Sequence, residues 1–330
     1  MSKKTTSTDK QTHTHADGTV HEGAAHDTTA SPLVAPNSQL EVTLPWEKIK
    51  TAYGKALAKA AVNLKTDGFR QGKVPPHIAE GMVDQNRLYD QAVQEVFPEY
   101  YLAEIQKSGK KPISQPDVEP IETEPNKDWK FTVYFAERPE VKLGDYKKVI
   151  IEASKSAEKE IAEKEAELAK GNDKLDKDAQ KTEPKELTTP QKEDIKLKHI
   201  FRDLAQSVSP QIPELLIRQE VNRELDQLVQ QLKQLNIKVE DYLKSRQMEA
   251  EQLQNEYAGM ALSILQIEFI IAEIAKDQKM TVSETEIDTT LDQLGGGKMT
   301  DADRQNPDTR SYVFSSLLKQ KVIRSLVEGK

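Results

Sequence analysis

Thr66-Asp67-Gly68-Phe69-Arg70-Gln71-Gly72-Lys73-Val74-Pro75 sets an aromatic ring and a cation between two glycines, with a second cation directly after. The glycines let the backbone turn tightly. A Phe at such a tip has little core within reach, so it is either tucked back or offered to a partner. Arg70 and Lys73 favour an anionic partner surface. The stretch therefore reads as a docking loop between two helical patterns, and it points to binding rather than catalysis.

Upstream, Leu40, Val42 and Leu44 alternate with polar residues, as in a half-buried strand. Pro45-Trp46-Glu47 then opens a helix with Ile49, Tyr53, Ala56, Ala60 and Leu64 at helical spacing. Downstream, Pro75-Pro76 opens a second helical region through Met82, Leu88, Val93 and Val96 to Ile105, stopped by Ser108-Gly109. Phe131, Val133 and Phe135 share one face of a further strand, and the β-branched Val149-Ile150-Ile151 reads as a short last one. Strand, helix, loop, helix and strands make a small α+β docking domain over residues 37–153.

Residues 1–36 are polar with almost no large apolar side chain, and are expected to be a disordered tail. The tail holds His13, His15, His21 and His26, and is read as polar low complexity rather than as a metal site. Residues 154–190 are a run of Glu, Lys, Ala and Asp with only sparse Ile161, Leu168 and Leu175. The expectation there is a charged linker: a solvated single helix breaking at Gly171-Asn172-Asp173.

Residues 191–330 read as helices throughout. Val221, Leu225, Leu228, Leu232 and Leu235 form one stripe; Leu253, Tyr257, Met260, Ile264, Ile267, Ile271 and Ile274 form a longer one. Ser283 and Glu286 fit a capping box, and Gly295-Gly296-Gly297 stops the helix that follows. Val313, Leu317, Val322, Ile323 and Leu326 mark a final helix.

At 330 residues the chain should hold more than one domain, and 31% charged with 5% aromatic residues suits long solvated helices with modest cores. A net charge of −8 rules against general nucleic-acid binding. With no cysteine, disulfides, thiolate zinc sites and cysteine nucleophiles are excluded. No apolar run is read as long enough to span a membrane and residues 1–30 hold no apolar signal region, so a cytosolic protein is expected. There is no GxSxG, Walker, HExxH or EF-hand pattern. His77 and His199 are read as isolated surface or capping histidines. No catalytic residue, cofactor or metal site is expected.

The stretch Gly68 to Pro75 resembles the ribosome-docking loop of the bacterial trigger factor family. Pro45-Trp46, Phe131-Thr132-Val133-Tyr134-Phe135 and Pro139-Glu140-Val141 resemble the rest of that family's docking domain. Pro213-Glu214-Leu215-Leu216-Ile217, Glu220-Val221 and Glu240-Asp241-Tyr242-Leu243 resemble its arm helices. The resemblance covers residues 38–153 and 195–330. It departs at Gln71, where the family usually has Lys, with Lys73 supplying a cation two positions on. It departs again at 154–190, which stands where the family carries an FKBP-type peptidyl-prolyl isomerase domain.

The resemblance implies a multidomain fold: an α+β ribosome-binding domain, a charged linker, and an all-α chaperone domain with helical arms at 191–330. It implies an ATP-independent chaperone, not an enzyme, with associated roles in protein transport and cell division. Its ribosome-binding residues would be Gly68, Phe69, Arg70, Gln71, Gly72, Lys73 and Pro75. Its partners would be the large subunit near the peptide exit (ribosomal protein and rRNA) and nascent or unfolded polypeptides, without DNA or membrane; a homodimer is left open. Leu228, Leu232, Met260, Ile264, Ile267, Ile271, Phe314 and Leu318 are the apolar residues expected to meet clients. Two other readings stay open, a prolyl isomerase of the same family and a helical adaptor that joins two folded proteins.

Overall fold

The computed structural model describes residues 12–14, 20–22, 32–66, 69, 74–171, 186–295 and 300–329. Two short strands near the N-terminus, β1 (Thr12–Thr14) and β2 (Val20–Glu22), pair antiparallel with His13 opposite His21. A third, β3 (Val34–Ala35), pairs in parallel with a distant segment described below. Residues read as a tail without order thus contain three strands.

The α+β unit is built on a three-stranded antiparallel sheet. Strand β4 (Ser38–Leu44) runs along β6 (Trp129–Phe135), which pairs on its other side with β5 (Asp117–Glu122). Alternation in β4 and β6 sends Val42, Leu44, Trp129, Phe131 and Val133 to one face. Helices α1 (Trp46–Val62) and α3 (Gln85–Ser108) cover that face with Ile49, Ala52, Ala92 and Val96. Asp84 caps α3 by accepting the Asn86 N–H, and Gly109 ends it at φ 68°, a left-handed backbone that glycine adopts without strain.

Val149-Ile150-Ile151 is not a strand. It lies in α4 (Tyr146–Gly171), which packs against α5 (Thr189–Val208). Nor is 154–171 a solvated single helix. Tyr146, Ile150, Ala153, Ala157 and Ile161 recur every three to four residues and are buried. Two members of that stripe are alanines, which bury where helices approach closely, so counting large side chains alone missed it. His199 is likewise not a surface group. Its ring is buried between the two helices, where Nδ1 accepts from the Arg202 guanidinium at 3.0 Å and Nε2 therefore donates to Glu160 at 2.6 Å. Lys164 and then His199 hold the Glu160 carboxyl down at about 2.

One core joins four helices. Tyr146, Ile150 and Ala153 of α4 meet Ile200 and Leu204 of α5, Ile270, Ile271 and Ile274 of α8 (Ala250–Asp277), and Val322 and Leu326 of α11 (Pro307–Glu328). Two projections extend from it. In the first, α6 (Glu214–Gln234) and the first half of α8 share Ile217, Val221, Ala261 and Leu265, with α7 (Val239–Arg246) between them in the chain. In the second, α9 (Glu284–Gly295), α10 (Asp301–Gln305) and the start of α11 close over Ile287, Leu291 and Val313. The expected capping box is formed: the Ser283 N–H donates to Glu286 at 2.9 Å, and the Glu286 N–H donates to the Ser283 hydroxyl at 3.3 Å.

Helix α8 is long and apolar enough, by length and composition, to cross a membrane, contrary to the sequence expectation. Here its apolar residues serve two faces at once, one in each of the helical cores above.

Candidate docking tip and apolar arm surface

The tip grows from the far end of the α1–α3 layer. There Ala56, Leu57 and Ala61 of α1 pack with Val74, Ala79 and Leu88. The short helix α2 (Pro76–Ala79) and a 3-10 turn (Glu80–Met82) close this cluster from outside. Pro75 starts α2, since its carbonyl accepts the N–H groups of Ile78 and Ala79, both at 3.0 Å. Tyr53 ties α1 to the turn through a 3.0 Å hydrogen bond to Glu80; burial first, and then that carboxylate, push its phenol up to about 12.

The Phe69 N–H donates to the Thr66 carbonyl at 3.2 Å, a tight turn. Val74, at the root, is only 6% exposed, whereas Phe69, at the tip, is 41% exposed. The aliphatic residue that follows the glycine stretch is thus packed into the unit, while the aromatic ring within it faces solvent. Val62 and Met82, on either side of the loop in the chain, are also exposed. Met82 fell in an apolar helical series by spacing, yet it sits at the end of the 3-10 turn, where no second layer covers it. Gly68, Arg70, Gln71, Gly72 and Lys73 lie outside the described residues.

The eight arm residues divide. Met260 is 50% and Ile264 39% exposed on one face of α8. Ala261 and Leu265, each one position on and so a quarter-turn round, point into the α6–α8 core. Phe314 is exposed on α11. Leu228, Ile267 and Leu318 are half-buried, the last two against the four-helix core. Leu232 and Ile271 are core side chains and offer nothing to a client in this conformation. Leu235, Ile237, Leu294 and Tyr312 are also exposed, and none of them was among the residues expected to meet clients. Leu235 continues the α6 stripe in sequence but is the residue on which the helix stops, so the stripe has no partner there. Tyr312 and Phe314 flank the buried Val313 and diverge from it on either side of the helix.

Among the described residues no cluster of three or more His, Asp or Glu is placed to hold a metal ion. Two family models match end to end. One, described as bacterial trigger factor protein, matches residues 29–170; the other, described as its C-terminus, matches residues 167–328.

The chain belongs to the trigger factor family.

The docking tip falls within the first match and both arms within the second, and the two matches meet inside α4. A trigger factor of Staphylococcus carnosus (strain TM300) is 41% identical over 113 residues, which is 34% of this chain and 26% of that protein. A trigger factor of Lactococcus lactis subsp. lactis (strain IL1403) is 33% identical over 128 residues, 39% of this chain and 30% of that protein. The chain thus matches less than a third of the length of these curated relatives. A solved structure described as "Promiscuous Substrate Recognition in Folding and Assembly Activities of the Trigger Factor Chaperone" aligns over 88% of this chain and 97% of that one, with 15% identity and a TM-score of 0.48.

Proposed function

We propose that this trigger factor family member is an ATP-independent chaperone that docks on the ribosome and holds nascent polypeptides. The contrast between buried Val74 and outward Phe69 carries the reading: a loop rooted this firmly, with an aromatic left in water, has a use for that ring in a partner. The neighbouring Arg70 and Lys73 suit an anionic partner, and family membership points to the large subunit near the peptide exit, ribosomal protein and rRNA together. The protein would then be cytoplasmic and partly ribosome-bound.

Clients would be held by the exposed apolar side chains of both arms, Met260, Ile264, Leu294, Tyr312 and Phe314, with Leu228, Ile267 and Leu318 at their margins. Each aliphatic contact contributes about 1–2 kcal/mol before ordering costs, so many are needed and each is readily released. Release of this kind requires no nucleotide. The chaperone would work without peptidyl-prolyl isomerase activity. The two family matches abut at 167–170, and α4 and α5 pack directly on each other where an isomerase domain would be joined.

Ribosome co-sedimentation of a Phe69→Ala, Arg70→Ala variant tests the dock. Loss of the variant from the pellet is expected; undiminished pelleting overturns it. Suppression of aggregation of an unrelated unfolded protein separates a chaperone from an adaptor that only joins folded partners.

A further inference from the structure

We propose that the edge formed by Ile212 and Pro213 at the root of the first arm is an acceptor site for an extended apolar segment of an unfolded polypeptide, and that residues 32–35 of the chain itself fill it here. Strand β3 lies parallel to β7 (Ile212–Pro213), with Val34 opposite Ile212 and Ala35 opposite Pro213. The Ile212 N–H donates to the Leu33 carbonyl at 2.9 Å, and the Gln211 side-chain amide donates to the Pro32 carbonyl at 2.9 Å. Val34 packs against the cluster formed by Ile212, Ile217, Val221, Ala261 and Leu265, in which Ile212 is fully buried. The features of strand addition are all present: main-chain hydrogen bonds to an edge, and an apolar pocket for an alternate side chain.

The occupant is poorly suited to be a permanent part of the fold. Parallel strands normally lie inside larger sheets, and this pair has two residues on each side and no third strand among the described residues. Pro36 keeps Ala35 extended, so the strap is shaped for the site. An incoming segment with a β-branched residue in the Val34 position makes the same contacts. The pocket belongs to the α6–α8 core, whose Ala261 and Leu265 are each next in sequence to the exposed Met260 and Ile264. That the natural competitor is an unfolded client rests on the chaperone reading; the acceptor site itself does not.

The native chain has no cysteine, so within an Ala35→Cys, Pro213→Cys monomer only one disulfide can form, the one that locks the strap, and the oxidised monomer is isolated by size exclusion. A fluorescent peptide with the sequence of residues 31–37 is the probe, and binding is read by anisotropy on the full chain, oxidised and then reduced. Reduction is expected to tighten binding about tenfold or more, and Val34→Asp in the native chain to tighten it further, as the fraction with an open site rises. The oxidised and reduced forms are the same protein, so a folding defect in Val34→Asp does not blunt the test. Equal binding in both redox states overturns the proposal. So does a strap-exchanged dimer whose reduced form takes no peptide, which gives the site to a second copy instead. If peptide exchange is seen while neither redox state suppresses aggregation, the acceptor site stands and the chaperone reading fails.

Discussion

Asn37 caps the first turn of a helix that begins 177 positions later. Its side-chain oxygen accepts the Leu215 N–H at 2.7 Å, and its amide donates to Glu214 at 2.8 Å. Helix α6 has Pro213 at its own cap position, which offers no side chain for the purpose. The residue just before β4 therefore also finishes the first turn of α6, and Arg218 adds a 2.6 Å ion pair to Asp117 of β5. The α+β unit and the first arm meet along this seam.

Asn37→Ala should destabilise the protein by about 1 kcal/mol, the usual worth of a lost helix cap. Asn37→Asp keeps an oxygen for Leu215 but sets a carboxylate against Glu214, so it should not recover wild-type stability at neutral pH. Urea unfolding of the two variants at pH 7 and at mildly acidic pH checks this. Acid should narrow the gap for Asp and leave it unchanged for Ala.

Two isoleucines of α8 should behave oppositely. Ile270 is fully buried in the four-helix core, and its truncation to Ala should cost about 2–5 kcal/mol. Ile264 is exposed on the same helix, and Ile264→Ser should change stability by no more than about 0.5 kcal/mol. In aggregation-suppression assays below the melting temperature, Ile264→Ser should be the weaker chaperone of the two. The reverse order of activity would remove the α8 face from the client surface.

Glu286 links the second arm to α11. The Lys321 ammonium first, and then the Ser283 backbone and hydroxyl, hold its carboxyl at about 2, below its ordinary 4.5. A depressed carboxyl contributes stability above its unfolded value and loses it as pH falls toward the folded one. The difference in melting temperature between wild type and Glu286→Gln should thus be steady above about 4.5 and vanish toward pH 2. A difference that persists undiminished at pH 2 would mean the ionised pair is not its source.

Much of this was legible in the residues. Alternation marked β4 and β6, and Gly109 and Ser283 marked helix ends; for Phe69 the residues left two orientations open, and its exposure is what the structure adds. What escaped had physical reasons. Strand β5 carries Pro120 and acidic residues, as an edge strand can, and shows no apolar alternation. Val149 to Ile151 has strong β propensity, overridden by the helical stripe that Tyr146, Ile150 and Ala153 bury against three other helices. The pairing of β3 with β7 leaves no local pattern at all, being two residues on each side and most of 180 positions apart. Periodicity identified the arm stripes but not which of their residues remain in water, because Leu232 and Met260 differ only in what faces them.

A photoreactive phenylalanine in place of Met260 tests dock and arm together. With stalled ribosome–nascent chain complexes it should cross-link to the emerging polypeptide. Adding Phe69→Ala should cut that cross-link by about tenfold or more, as expected for the loss of an interface anchor, while cross-linking to a free unfolded protein stays the same. An unchanged yield from the ribosome-bound chain after Phe69→Ala would contradict the proposed division of labour between tip and arm.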